Sequence, residues 1–217
     1  MISSYNDLAA TVKVFCVRND STFNSQIEVF VSMAEDRIFN GSGSQADPLY
    51  SEALRVPELS VDEVLTITDG SATLPARCLG IRRLAIPGSR GNLEYLAPDI
   101  FATVGESANG AVSQFYTVEG QSIRFLPVAS AEVACLYYQR PLALTNANQT
   151  NAILTAYPNV YLAATMAEAL LYMQDPASSQ WISRLASNIA GFSRTARQSS
   201  KGGGSLRVQP RSVIGAI

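Results

Sequence analysis

A chain of 217 residues with 47% hydrophobic and 16% charged side chains can bury a substantial core, as one large domain or two small ones. No apolar run reaches the roughly 18 residues that cross a bilayer. The opening stretch has no basic flank leading into an apolar one, so neither a membrane span nor a signal peptide is expected. The net charge of -2 hides a division: after Asp175 come 6 basic and 0 acidic residues (+6), and up to and including it 10 basic and 18 acidic ones (-8).

Ser3 and Ser4 are suited to cap a short helix that ends near Arg18. Phe23, Ile27, Phe30, Val31, Ala34 and Ile38 form one apolar stripe at helical period, which predicts a second helix stopped by Asn40-Gly41. The following stretch, GSGSQADPLYSEALRVPELS, is turn-rich and reads as a loop or insertion. The period then changes. EVLTIT, LGIRRLAI, NLEYLA, QFYTVEG, QSIRFLPV and EVACLYYQRP are short, rich in β-branched and aromatic residues, and bounded by turn formers, which predicts a small antiparallel sheet or sandwich. Glu119-Gly120 marks a tight hairpin, and Pro98-Asp99 opens one helical turn between strands.

Helical period returns after Pro158 with Val160, Ala163, Ala164, Ala167, Leu170 and Leu171. Asp175-Pro176 breaks that helix and starts another, carrying Trp181, Ile182, Leu185, Ile189 and Phe192. The fold class is α+β: a helical bundle from the N- and C-terminal thirds, a central antiparallel β module and an extended C-terminal arm. The expected divisions are 1-40 for the first helices, 41-60 for the loop, 61-145 for the β module, 146-200 for the last helices and 201-217 for the arm.

The arm, KGGGSLRVQPRSVIGAI, is too apolar for a disposable tail. Gly202, Gly203 and Gly204 read as a hinge, because glycine accepts backbone angles closed to other residues. Leu206, Val208, Val213, Ile214 and Ile217 read as anchors, and Arg207 and Arg211 as partners for carboxylates. Five buried aliphatic side chains contribute about 1.5–3 kcal/mol each, while ordering each backbone residue costs about 1–2 kcal/mol, so burial alone does not hold the arm. Main-chain hydrogen bonding to a partner and multivalency must add to it. Arg194, Arg197 and Lys201 share one face of the last helix, which would meet either a DNA channel or an acidic partner; a solvated basic face is the alternative.

Catalytic signals are lacking. With no histidine there is no Ser-His or Cys-His pair and no imidazole metal ligand. Cys16, Cys78 and Cys135 are odd in number and widely spaced, so they are expected to be reduced, buried thiols, and no metal or cofactor is expected. GGGS resembles a phosphate loop in composition only, lacking the flanking strand, helix and Gly-Lys-Ser/Thr pattern. Phe115-Tyr116 and Tyr137-Tyr138 could stack on bases or sugars, but alternating strand aromatics more often belong to a core.

The order of motifs carries a resemblance. MAEDRIF closing a helix, LPARCLGIRRL, LEYLAPDIFA, QFYTVEGQSIRFLPVASAEVACLYYQRPLALT and YPNVYLAATMAEALLYMQDPASSQWISRLASNIAGFSRTAR together resemble the head–tail adaptor (connector) proteins of tailed bacteriophages, from about Asp7 to Ser199. The resemblance implies a structural, non-enzymatic protein of the virion's head–tail junction, assembled in the host cytoplasm. It implies a homo-oligomeric ring, normally of twelve subunits, beneath the portal protein, joined to the next tail or neck protein and lining part of the DNA exit channel. Contact with packaged DNA would be non-specific, with no membrane and no cofactor involved. It also implies that the arm reaches out onto the portal. The rival readings are a tail-completion or neck protein elsewhere in the tail, a nucleic-acid-binding module, and a carbohydrate-binding tail component.

Overall fold

The computed structural model describes residues 2–44, 47, 50–88, 91–105, 110 and 112–200; Lys201 and the arm beyond it lie outside the described residues. It is α+β, with six helices and two sheets.

Helix α1, Tyr5–Cys16, starts on a reciprocal cap. Ser4 Oγ accepts the Asp7 N–H at 3.1 Å, while the Asp7 carboxylate accepts the N–H and hydroxyl of Ser3 at 3.0 and 2.7 Å. Helix α2, Ser21–Asn40, is capped by Asp20, which accepts the Phe23 N–H at 2.9 Å. It ends at Gly41, where φ is 74° and a Cβ would stand 2.8 Å from the Ser51 carbonyl, so only glycine fits there.

The segment expected to be a loop is partly core. Ser42 and Ser51 form an antiparallel bridge, and Leu54, Val56 and Leu59 are buried among the helices. Arg55 between them donates to the Phe39 and Leu54 carbonyls at 2.9 and 2.8 Å. A 3-10 turn, Pro57–Leu59, then leads into the strands.

The strands are β1 Ser60–Ile67, β2 Ser71–Thr73, β3 Cys78–Ala85, β4 Glu94–Tyr95, β5 Phe115–Glu119, β6 Ser122–Leu126 and β7 Ala131–Gln139. One sheet has the order β1-β7-β3 and the other β2-β6-β5-β4. All pairs are antiparallel except β4 with β5, which run parallel at Glu94↔Phe115 and Tyr95↔Tyr116. The β5–β6 hairpin turns through Gly120 at φ 60°, as a two-residue loop requires. Helix α3, Pro98–Gly105, is longer than the single turn expected and anchors Phe101. Both sheets feed one core of Ile67, Ala72, Leu84, Leu93, Ile123, Phe125, Val133, Cys135 and Tyr137.

A second core belongs to the helices. Helix α4, Ala152–Ala156, precedes α5, Pro158–Tyr172, which packs against α1, α2, α4 and α6. The apolar stripe expected for α5 is in fact a belt: Val160, Tyr161 and residues 163–170 are all buried, because other helices surround it. Helix α6, Ser178–Ser200, buries Ile182, Leu185 and Ile189 and leaves Trp181 and Phe192 half-covered. Leu79 and Tyr138 reach from the sheet into the helical core and join the two.

Of the three thiols expected to be buried, only Cys135 is; Cys16 and Cys78 are half-buried. Cys16 is the last residue of α1 and Cys78 the first of β3. No disulfide joins them.

Candidate docking surface

Two polar clusters stand out against these cores. The first sits where the chain leaves the sheet. Glu35 lies on the apolar stripe of α2, four residues after Val31, and is only 1% exposed. Its Oε1 accepts the Leu144 N–H at 2.9 Å and the Tyr161 hydroxyl at 3.1 Å. Asn151 donates to the Tyr161 oxygen at 2.7 Å and caps α4 through Leu154 at 2.8 Å. Arg140, just past β7, pairs with Asp36 at 2.7 Å and approaches Glu35 Oε2 at 3.8 Å. Burial raises the Glu35 carboxyl above its ordinary range, while those hydrogen bonds and Arg140 pull it back. Beside it Arg37 binds Glu168 at 2.6 Å and Ser42 at 2.8 Å. Buried ion pairs of this kind are weak sources of stability but strong selectors of geometry. Here Arg140 ties the chain just past β7 to α2, and Arg37 ties α2 to α5.

The second cluster lies on the last turns of α6. A concavity of about 360 Å³ is lined by Glu52, Ala190, Ser193, Arg194, Arg197 and Gln198. Arg197 pairs with Glu52 at 3.9 Å. Arg194 and Arg197, expected on one basic face, are thus brought together, but a carboxylate stands with them. Lys201, the third member of that face, lies outside the described residues, as do Gly202, Gly203, Gly204, Leu206, Arg207, Val208, Arg211, Val213, Ile214 and Ile217. Glu52 and Ser193 were not singled out by the sequence. Ser193 falls four residues after Ile189 on the buried stripe of α6, which was a usable signal; Glu52 comes from a turn-rich segment that offered none.

Of the strand aromatics, Tyr137 and Tyr138 are engaged within the fold, while Tyr116 lines an open concavity with Tyr95. Tyr137 is buried and donates to Glu63 at 3.0 Å. The Tyr138 ring lies under the guanidinium groups of Arg55 and Arg82 at 5.7 and 5.0 Å. Burial pushes the Cys135 thiol up to about 12 and raises Cys16 and Cys78 as well, the opposite of what an activated nucleophile needs. Among the described residues no group of three or more His, Cys, Asp or Glu could hold a metal ion, and no helix is long and apolar enough to cross a membrane.

Comparison with protein families matches residues 3–209 to the family described as SU10 adaptor protein. The chain belongs to the SU10 adaptor family. Adaptor families are structural protein families of the phage virion, in agreement with the head–tail adaptor resemblance carried by its motifs. The match takes in both cores of this SU10 adaptor, the concavity on α6 and the start of the arm. No curated protein matches the chain.

Proposed function

We propose that this SU10 adaptor forms a closed ring of about a dozen copies beneath the portal of the filled capsid, linking the portal to the next tail protein around the DNA exit channel. The carrying observation is the family match over residues 3–209, which covers the body and reaches into the arm. Supporting it, α5 is enclosed while α2 and α6 lie on it and keep outer faces available to neighbouring copies. The protein acts as a joint and not as an enzyme: Arg140 with Glu35 and Asp36 ties the end of the sheet to α2, and Tyr161 ties α2 to α5.

In this reading the arm from Gly202 to Ile217 leaves α6 at the glycines and docks on the portal, its aliphatic side chains in apolar hollows and Arg207 and Arg211 on carboxylates. Sixteen extended residues reach up to roughly 50 Å. Multivalency across the ring raises the effective concentration of each arm. Cryo-microscopy of intact particles tests this directly. A ring in contact with the portal is the expected result; density lower in the tail would instead make the chain a tail-completion or neck protein.

A further inference from the structure

The outer face of α2 is not the plain polar face that an amphipathic helix usually turns to water. Its buried stripe packs against α5, yet Val29 and Met33, one turn apart, are exposed on the other side. With Ala143 and Leu144 they line a hollow of about 310 Å³, rimmed by Glu28 and Ser32. The far end of α1 carries a second apolar surface. Val14, Phe15 and Val17 are all exposed there, Val17 at 89%. The Phe15 ring meets Trp181 of α6 edge-on at 5.9 Å, and Arg184 lies over the indole at 5.1 Å. Val17 also closes α1 in the left-handed region, at φ 51°. Glycine or asparagine is usual at such a position, and a β-branched residue is strained. So exposed a valine returns almost nothing to its own fold for that strain.

We propose that the α2 hollow of one copy takes the Phe15–Trp181 end of a second copy, with Val17 at the edge of the contact. The proposal rests on the ring reading above and names its two faces. Exposed Phe, Trp and Met side chains are the kind that interface centres collect. The charges around the two surfaces are opposite in sum. The hollow has Glu28, Glu35 and Asp36 against Arg140. The α1 end has Lys13, Arg18 and Arg184 against Asp20 and Asp175. The same carboxylates turn away a phosphate backbone, which in any case has no apolar group to fill the hollow. Because the two surfaces are different patches of one chain, each contact leaves a free hollow on one copy and a free end on the other. Such a contact repeats from copy to copy until it closes on itself.

Sedimentation velocity and native mass spectrometry on the full chain test this, with wild type, Phe15→Asp, Met33→Asp and Val17→Gly. Wild type should self-associate. Phe15→Asp and Met33→Asp should each weaken association at least tenfold, because each buries a charge in the apolar centre. Mixed in equal amounts, they should form heterodimers and nothing larger: the Met33→Asp copy keeps a sound end and the Phe15→Asp copy a sound hollow. Val17→Gly should melt higher as a monomer, freed of its strain, and associate more weakly. Met33→Asp that still dimerises alone would mean the α1 end pairs with itself and would overturn the proposal. So would a mixture that yields no heterodimer, or Val17→Gly associating as well as wild type. Wild-type rings with both aspartate variants assembling equally well would overturn these two faces and leave the ring standing. A wild type that stays monomeric up to its solubility limit would overturn the ring reading itself.

Discussion

Tyr161 donates its hydroxyl proton to Glu35 Oε1 at 3.1 Å, joining two residues 126 positions apart. The bond connects the enclosed helix α5 to the outer helix α2, and Leu144 donates to the same oxygen from the chain that has just left the sheet. Three parts of the sequence thus meet on one carboxylate.

That carboxylate should make stability depend on pH. Burial raises Glu35 in the folded state, so the folded chain binds this proton more tightly than the unfolded chain. The penalty for keeping it ionised is full above the folded pKa and disappears as pH falls through it. Glu35→Gln removes the titration and keeps an acceptor oxygen. Thermal melts from neutral to mildly acidic pH should show wild type gaining on the variant as pH falls; parallel curves would contradict this assignment.

Tyr161→Phe should cost about 1–3 kcal/mol, since it leaves the Asn151 amide and part of the Glu35 carboxylate without their partner. Tyr172→Phe, whose ring edge is half-exposed, should stay within about 0.5 kcal/mol of wild type. Urea unfolding of the two variants measures the difference.

Gly41 and Gly120 both have positive φ, at 74° and 60°, but their surroundings differ. A Cβ at Gly41 meets the Ser51 carbonyl at 2.8 Å, while one at Gly120 meets nothing within 4 Å. Gly120→Ala should cost only the backbone term of about 1–2 kcal/mol, and Gly41→Ala distinctly more. Equal losses in denaturant titrations would mean the close approach is easily relieved.

If the arm docks on a partner and not on its own subunit, deleting 205–217 should leave the melting temperature of the body unchanged. If the arm docks on the portal, the truncated protein should also fail to join DNA-filled heads. Complete infectious particles made with it would remove the arm from the docking role.

Helices α2, α5 and α6 were legible from the sequence because their apolar stripes repeat over several turns, as in Phe23 to Ile38; α1 was legible from the caps Ser3 and Ser4, and α3 only as a single turn at Pro98-Asp99. Helix α4 escaped, since five residues hold too little of a period to register. Strand β2, three residues long, escaped for the same reason. Strand direction was not local information either: Glu94 and Tyr95 look alike whether paired parallel or antiparallel with Phe115 and Tyr116. The polar residues that matter most were visible only as exceptions. Glu35 and Ser193 each occupy an inward position on an apolar stripe, and a polar residue in such a place needs a partner. The partners of Glu35, Leu144 and Tyr161, come from distant stretches that periodicity cannot connect.

Strand β1 begins at Ser60, and that residue pairs with Tyr138 near the end of β7. The chain therefore goes out into the sheets and comes back along hydrogen-bonded neighbours, making the whole excursion one closed detour between α2 and α4. A detour whose two feet stand side by side can be exchanged for a longer, shorter or unrelated one without moving either foot. The helical frame is in this sense a standard fitting. Whatever is grafted between Ser60 and Tyr138 alters what the far side of the protein presents, and the frame receives it as long as the graft still supplies the packing that Leu79 and Tyr138 give the helical core.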